Sequence, residues 1–467
     1  MSTAGSAVVA SDARLVRAIG LGGATLLVIG NVLGSAIFLT TGIMAQHMPS
    51  AAMLLLAWVA GGLLTLTGAL TCAELGVMYP RSGGWYVYLS EAFSPVWGFL
   101  FGWAGLLVMI TGSVAAVAVG FAEYFSYFFP SLSTTSTILS FQVPWGRFSI
   151  SAGQVVAALS ILLLGIINYF GVRMGNAVQA VLTVIKVALL LAVPLLALVY
   201  HPVRPEFVRP FSGVSQPAIS FGVAMIAVLW AYSGWDYLSF AAGEVKNPAR
   251  NLPLALMLGT MALTISYLAA NLGYLYSLSI DEMQGVLRIA ERSVTVMIGA
   301  GGAALVSAGV MISTFGCNAS GIIPTSRVCY AMAADGLFFK AAAAVHPKYR
   351  TPHVAIALTC GWAAFLTLTG TYEQLYTYVV FTGLLFNVAG GVAIFRLRRL
   401  KPEQPRPYRT WGYPAIPALF VLSTSVLVVN TLAERPVESI LGLGLVALGL
   451  PAYWYWRRGS SQGQASE

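Results

Sequence analysis

The chain has 467 residues, of which 58% are hydrophobic and only 9% are charged, and its formal net charge is +9. Soluble domains carry about 25% charged residues, so this composition excludes a soluble globular protein and indicates a multi-pass membrane protein. A basic excess suits nucleic-acid binding unless it follows membrane topology, and the placement of the charges along the chain distinguishes these two cases.

Apolar segments long enough to cross a bilayer recur along the whole chain. A helical span needs about 20 mostly apolar residues. Candidate spans lie near 18–46, 51–79, 95–128, 151–171, 176–200, 218–243, 253–278, 293–323, 352–371, 374–395, 413–431 and 437–456. The pattern predicts an all-α membrane protein with twelve transmembrane helices.

The basic residues are distributed unevenly between the two sides of these spans. If the amino terminus is inside, six of the 25 Lys and Arg residues are outside and Lys186 lies within a span, so the other eighteen are cytoplasmic. The six are Arg147, Arg204, Arg209, Arg288, Arg292 and Arg435. An excess of Lys and Arg in cytoplasmic loops sets membrane orientation. The bias therefore supports twelve spans with both termini cytoplasmic, and it explains the net charge without nucleic acid.

Small and polar residues interrupt two of the apolar segments near their centres. The first span contains Gly30 to Ala36, and the sixth contains Tyr232 to Gly234. A broken membrane helix exposes backbone groups, which is tolerated only inside the protein or beside a water-filled cavity. Paired interruptions in the two halves of a chain are the best sequence indication of a transporter's binding site. For the small residues of the first span, simple close packing of helices is an equally good interpretation.

Ionisable side chains inside the spans are further candidates. Lys186 lies deep in the fifth span, where an ionisable group is a functional hypothesis by default; the alternative is a structural cation held by backbone carbonyls. The polar stretch from Ser313 to Gly321 in the eighth span either supplies oxygen partners for Lys186 or joins helices. Glu74, near the cytoplasmic interface, is expected to be a structural ion-pair partner, with Arg81 as a candidate. Glu123, at the outer end of the third span, has the same interpretation, with a role in proton entry as the alternative.

The sixth span also carries Asp236, with Trp230 and Trp235 on either side of the interruption. Tryptophan in membrane proteins usually marks the interfaces, but an indole beside a helix break can close over a ligand. The four cysteines and four histidines match no metal-site or disulfide spacing. HExxH, GxSxG and acid–histidine clusters do not occur in the sequence, so no metal, cofactor or enzymatic site is expected.

Several motifs recur in a specific order. They are Gly20–Ala24 with Gly34–Phe38; Glu74–Gly76 with Tyr79–Tyr88; Asn168–Val172 with Gln179, Thr183 and Lys186; Trp230–Trp235 with Glu244–Pro248; and Ser326, Arg327, Tyr330–Ala333, Asp335 and Gly336. In this order and spacing the chain resembles the amino acid–polyamine–organocation superfamily of transporters, most closely its L-type amino acid transporter branch.

The resemblance implies a LeuT-like fold, in which two groups of five helices form an inverted repeat and the first and sixth helices are broken. The corresponding segments are 1–17 (cytoplasmic), 18–200 (first repeat, spans 1–5), 218–396 (second repeat, spans 6–10), 413–457 (spans 11 and 12) and 458–467 (polar tail). The polar composition of the tail predicts disorder.

The resemblance also implies which residues bind an amino acid. The substrate carboxylate is expected on the backbone N–H groups of Ser35, Ala36 and Ile37. The ammonium is expected on carbonyl groups near Ile29, Leu33, Trp230, Ala231 and Ser233. The ends of helices suit this division, because their N-termini favour anions and their C-termini favour cations.

Further roles follow from the same resemblance. Trp230 matches an aromatic gate over the substrate. Lys186, with Ser313 as an oxygen partner, stands where sodium-coupled relatives bind a cation, so transport is expected to be independent of sodium. The usual Gly-Ser-Gly is Gly34-Ser35-Ala36 here. Asp236 replaces a neutral amide and is expected to influence specificity.

The sequence therefore predicts a secondary active transporter, not an enzyme. It would move L-amino acids, with a preference for neutral ones, across the cytoplasmic (inner) membrane by alternating access, through exchange or proton symport. A cationic amino acid or polyamine is the alternative substrate, because of Asp236. The loop 129–150 lacks the cysteine that joins heteromeric relatives to an accessory glycoprotein. We therefore expect a monomer or weak homo-oligomer.

Overall fold

A computed structural model describes residues 17–48, 50–80, 83–143, 146–171, 176–200, 202–207 and 217–463. In the first half the helices are α1 (Leu21–Val32), α2 (Thr40–Ala45), α3 (Ala51–Met78), α4 (Trp85–Ala92), α5 (Pro95–Ala104), α6 (Ile110–Phe128), α7 (Ala152–Tyr169) and α8 (Asn176–Val199). A π-helical turn, Gly105–Met109, joins α5 to α6.

The second half is also helical. Its helices are α9 (Pro217–Tyr232), α10 (Tyr237–Phe240), α11 (Pro248–Ser277), α12 (Ile280–Met283), α13 (Ile289–Ile298), α14 (Ala300–Ala334), α15 (His353–Thr367), α16 (Tyr372–Leu400), α17 (Ala415–Glu434), α18 (Pro436–Ala447) and α19 (Gly449–Gly463).

Among the described residues, nine helical segments are long and apolar enough to span a membrane. They are Ala51–Met78, Pro95–Phe128, Ala152–Tyr169, Val181–Val199, Pro248–Ser277, Ala300–Ala319, Tyr372–Leu400, Ala415–Glu434 and Pro436–Arg458. Three more apolar helices, α1, α9 and α15, are shorter. These segments confirm the multi-pass helical class, and each of them overlaps a predicted span.

The loop after α6 forms a short antiparallel hairpin of β1 (Thr137–Val143) and β2 (Gly146–Ser151), in a chain whose other described elements are helical. Two local predictions were wrong. The apolar stretch near 293–323 is divided at Gly299, which separates α13 from α14. The polar tail begins as helix, because α19 continues to Gly463. Predictions about residues 1–16, Arg81, Arg209 and 464–467 fall outside the described ranges.

Helix α1 is held in the core of the molecule by close contact with α11. Gly259 makes this contact possible, because a Cβ atom at this position would lie 2.7 Å from Cγ1 of Val28. Small residues at a crossing let membrane helices approach closely. Ala24, Val28 and Val32 are buried along α1, so the carboxyl end of α1 is fixed deep inside the protein.

Candidate functional site

The first span is broken, as predicted. Helix α1 ends at Val32, a short turn of 3₁₀ helix covers Ala36–Phe38, and α2 begins at Thr40. The residues of the break do not face lipid, since Ser35 is 1% exposed and Ile37 is fully buried. The interruption therefore lies where irregular backbone is tolerated, inside the protein.

The break leaves three backbone N–H groups without partners. Nearby amides are paired: Gly34 N donates to Val32 O at 2.8 Å, and Phe38 N donates to Ser35 O at 3.1 Å. In the part of the chain that the structure describes, the N–H groups of Ser35, Ala36 and Ile37 have no acceptor. Buried backbone N–H groups are almost always hydrogen-bonded. These three amides are therefore available to an acceptor such as an anion.

The second break lies beside the first. Helix α9 ends at Tyr232 and α10 begins at Tyr237. Gly234 between them has a positive φ of 95°, and a Cβ atom at this position would lie 3.2 Å from the carbonyl oxygen of Asn31. A left-handed backbone and a close approach both favour glycine here. The two breaks thus touch through their backbones.

Hydrogen bonds already occupy some of the carbonyl groups that were predicted to bind an ammonium group. Ile29 O accepts from Leu33 N at 2.8 Å, and Trp230 O accepts from Ser233 N at 3.1 Å. Tyr267 OH on α11 donates to Ala231 O at 2.9 Å. Of the five predicted carbonyls, those of Leu33 and Ser233 have no donor among the described residues.

Several aromatic rings pack beside the two breaks. Trp230 is 6% exposed, and its Nε1 donates to the hydroxyl of Tyr372 at 2.9 Å. Its ring stacks on Tyr376, with centroids 6.2 Å apart and planes inclined by 13°. Tyr372 OH also lies 3.3 Å from Oγ of Ser35. Tyr372 thus links Trp230 on α9 to Ser35 in the first break.

Lys186 joins three helices. It is 4% exposed, and its Nζ lies 3.5 Å from the carbonyl oxygen of Gly30 on α1 and 3.1 Å from Sγ of Cys317 on α14. The predicted link from the fifth span to the first and eighth is present. The predicted oxygen partner is not: Ser313 Oγ is buried without a hydrogen bond in the described structure. Cys317, one helical turn further along α14, makes the contact instead.

Asp236 directly precedes α10, at the end of the second break. Its Oδ2 accepts a hydrogen bond from Nε1 of Trp85 at 2.6 Å, and Trp85 packs edge-on against Trp235. Asp236 therefore anchors α4 to the second break, in addition to any effect it has on specificity.

The chain segment before α1 pairs with the chain segment after α10. Ile19 N donates to Glu244 O at 3.0 Å, and Lys246 N donates to Ile19 O at 2.8 Å. This parallel bridge ties the segment before α1 to the segment after α10. The chain segments that flank the two breaks are therefore joined by backbone hydrogen bonds.

Glu74 is a structural ion-pair partner, as expected, and its partner among the described residues is Arg398. Arg398 donates two hydrogen bonds to its fully buried carboxylate, at 2.9 and 2.7 Å, and Thr410 N donates a third at 2.7 Å. Arg406 lies 3.8 Å away. A buried carboxylate needs this many donors. The pairing anchors the loop after α16 to α3, whereas Arg81 lies outside the described residues.

Polar contacts also join helices at the opposite end of the molecule from Glu74. Thr134 donates a hydrogen bond to the carboxylate of Glu123, and this contact is consistent with the interpretation of Glu123 as a structural residue. Arg435 pairs with Glu373 on α16. Burial, together with the nearby guanidinium of Arg435, lowers the pKa of His47.

The sequence reasoning missed the tyrosines that surround the breaks. Tyr372 and Tyr376 come from α16, and Tyr267 comes from α11. Tyr124 OH on α6 donates to Phe38 O at 2.7 Å, and Tyr274 OH on α11 reaches Ile37 O at 3.3 Å. Their only sequence signal is a hydroxyl-bearing ring within an apolar span, which is also typical of residues at the membrane interface.

Two adjoining helix breaks buried in a multi-pass helical protein define a membrane transporter with a small polar ligand site. The profile of the amino acid permease family matches residues 19–440. The chain therefore belongs to the amino acid permease family, and the resemblance to the L-type branch of its superfamily is confirmed.

Individual relatives agree with this assignment. The serine/threonine exchanger SteT of Bacillus subtilis is 30% identical to the chain over 448 residues, which cover 95% of this chain and 97% of the relative. Large neutral amino acids transporter small subunit 2 of Homo sapiens is 30% identical, covering 95% and 81% of the two chains. Asc-type amino acid transporter 1 of Mus musculus is 27% identical, covering 95% and 82%.

Proposed function

We propose that the chain exchanges neutral L-amino acids across the membrane by alternating access, at a site made by the two helix breaks. The substrate carboxylate binds the N–H groups of Ser35, Ala36 and Ile37, and the ammonium binds the carbonyls of Leu33 and Ser233. The observation that carries this proposal is the set of three buried N–H groups without acceptors. A zwitterion supplies an acceptor at one end and donors at the other.

We propose twelve spans arranged as a LeuT-like inverted repeat. The nine long helical segments supply nine of these spans, α15 is a tenth, and α1–α2 and α9–α10 are the two broken spans. Spans 1–5 (residues 18–200) and 6–10 (218–396) form the two repeats, and 413–457 adds two more. The support is that the first span of each half is the broken one.

Coupling is assigned to Lys186, the buried cation between α8, α1 and α14. Because its ammonium already fills the space between these helices, a sodium ion is not required there. Ser313 and Cys317 lie four residues apart and so share one face of α14. Ser313 can therefore replace Cys317 as the partner of Lys186 in another conformation. Exchange is favoured because SteT is an exchanger, with proton symport as the alternative.

The protein is proposed to act in the cytoplasmic (inner) membrane as a transporter, not an enzyme, with both termini in the cytoplasm. It would work as a monomer or weak homo-oligomer, without a disulfide-linked accessory subunit. The support is that Cys72, Cys329 and Cys360 are buried in helices and Cys317 is half-buried.

A cationic substrate is the second candidate, and Asp236 is the observation that favours it. The carboxylate is partly exposed beside the second break. However, its Oδ2 is engaged by Trp85, and this structural use of the charge makes a neutral substrate the better proposal.

Thermal stabilisation of the purified protein tests the substrate class. We expect neutral L-amino acids to raise the melting temperature, whereas arginine, lysine and putrescine leave it unchanged. A ligand at 100 times its Kd stabilises the state it binds by about 2.7 kcal/mol. Sodium chloride at matched ionic strength is the control. Stabilisation by the cationic compounds alone would replace the proposed substrate by the alternative, and no stabilisation by any amino acid would contradict both.

A further inference from the structure

Tyr372 joins the two halves of the site through its side chain, as Tyr267 also does through contacts with Ala231 O and Val32 O. The hydroxyl of Tyr372 accepts the hydrogen bond from Nε1 of Trp230 at 2.9 Å and lies 3.3 Å from Oγ of Ser35. A phenol that accepts from an indole keeps its own proton available for a second partner. One oxygen atom of Tyr372 therefore connects the indole beside the second break with the side chain of Ser35 in the first.

The position of Tyr372 is set by the start of its helix. It is the first residue of α16, and Thr371 before it forms a capping box with Gln374, in which each side chain bonds the backbone of the other. Such a cap fixes the path by which the chain enters the helix. Tyr372 is 3% exposed. Its hydroxyl is thus held in place by the backbone.

The next turn of α16 completes the contact with the indole of Trp230. Tyr376 stacks on the face of Trp230, and the rings of Tyr372 and Tyr376 meet edge-on with centroids 5.4 Å apart. Residues four apart lie on the same face of a helix. Helix α16 therefore holds the indole twice, once by a hydrogen bond and once by ring stacking. Only the hydrogen bond also involves the first break.

Ser35 connects the hydroxyl of Tyr372 to the proposed site for the substrate carboxylate. The same residue offers a free backbone N–H to an anion and a side-chain hydroxyl to Tyr372. A movement of the first break when a carboxylate binds there would therefore reach Trp230 through a single hydroxyl group.

We propose that Tyr372 is a positioning residue that makes closure of Trp230 depend on an occupied first break. This inference rests on the proposed function. The hydroxyl of Tyr372 binds no substrate; it acts through Ser35 and Trp230.

The test compares Tyr372→Phe with Tyr378→Phe in amino acid exchange by reconstituted vesicles. Tyr372→Phe keeps the ring but removes the shared hydroxyl, so the closed complex is less stable and KM should rise by about tenfold, the effect of losing one buried hydrogen bond. Tyr378→Phe removes a hydroxyl from another face of α16, so it should retain the wild-type KM.

A double-mutant cycle separates linkage from a local structural defect. If Ser35 and Trp230 act through Tyr372, then Ser35→Ala and Trp230→Phe should each raise KM, and each should add little to Tyr372→Phe. A wild-type KM for Tyr372→Phe, or additive effects in the cycle, would overturn the inference. If Tyr372→Phe does not fold, Trp230→Phe removes the same hydrogen bond from its other end, and a wild-type KM in that variant would have the same consequence.

Exchange by the wild-type protein in the same vesicles distinguishes failure of the proposed function from failure of the role proposed for Tyr372. If it does not exchange amino acids, the proposed function fails. If it exchanges them and Tyr372→Phe behaves identically, only the role of Tyr372 fails.

Discussion

Replacing Lys186 with alanine is expected to abolish amino acid exchange in proteoliposomes while the protein remains folded. The ammonium group connects α8 to the carbonyl of Gly30 and the sulfur of Cys317. Its loss frees the first broken span from α8 and α14. Because neither of these two partners is a carboxylate, the substitution leaves no opposite charge unpaired in the core, which is the usual cause of severe destabilisation.

Initial exchange rates and the melting temperature of the purified variant measure the two halves of this prediction. The matched control is Lys340→Ala, which removes an exposed lysine outside the long apolar helices and should change neither. Unchanged exchange in the Lys186 variant, with the same dependence on pH as the wild type, would refute its role in coupling.

Replacing Trp230 with alanine is expected to reduce exchange by more than about tenfold. The substitution removes the stacking on Tyr376 and the hydrogen bond to Tyr372 together. Truncation of a buried indole costs about 3–5 kcal/mol, and here that loss falls on the conformation in which the site is covered. The closed complex therefore becomes rare, and both KM and the maximal rate suffer.

The measurement is exchange over a range of substrate concentrations, so that KM and maximal rate are obtained separately. Trp411→Ala is the control, since Trp411 is 65% exposed and its removal should leave both constants unchanged. Wild-type kinetics in the Trp230 variant would show that the indole does not gate the site.

The helix breaks could be predicted from the sequence because the residues that cause each break are adjacent in the chain. A glycine with positive φ and a serine in the middle of an apolar run conflict with a continuous helix. Lys186 was readable for a similar reason, since a charge deep in an apolar segment needs a function or a partner. Its sulfur partner could not be predicted, because Ser313 and Cys317 share one face of α14 and the choice between them depends on the position of α14 along its axis relative to Lys186.

Contacts between distant parts of the chain could not be predicted. Tyr372 and Ser35 are 337 residues apart, and Glu74 and Arg398 are 324 residues apart. Neither pair has a sequence pattern, because tyrosines in spans and basic residues at the cytoplasmic ends of spans are common for other reasons. The hairpin of β1 and β2 could not be predicted from the apolar runs, because it lies in the loop between two of these runs.

In the proposed site the two breaks bind both charged ends of one amino acid. Competition against uptake of a neutral amino acid by its own methyl ester and its own N-acetyl form tests this claim most directly. Each blocked form loses hydrogen bonds to a charged group, worth about 1.5–3 kcal/mol apiece, so both should compete at least about tenfold less well than the parent. Equal competition by either blocked form would contradict the claim.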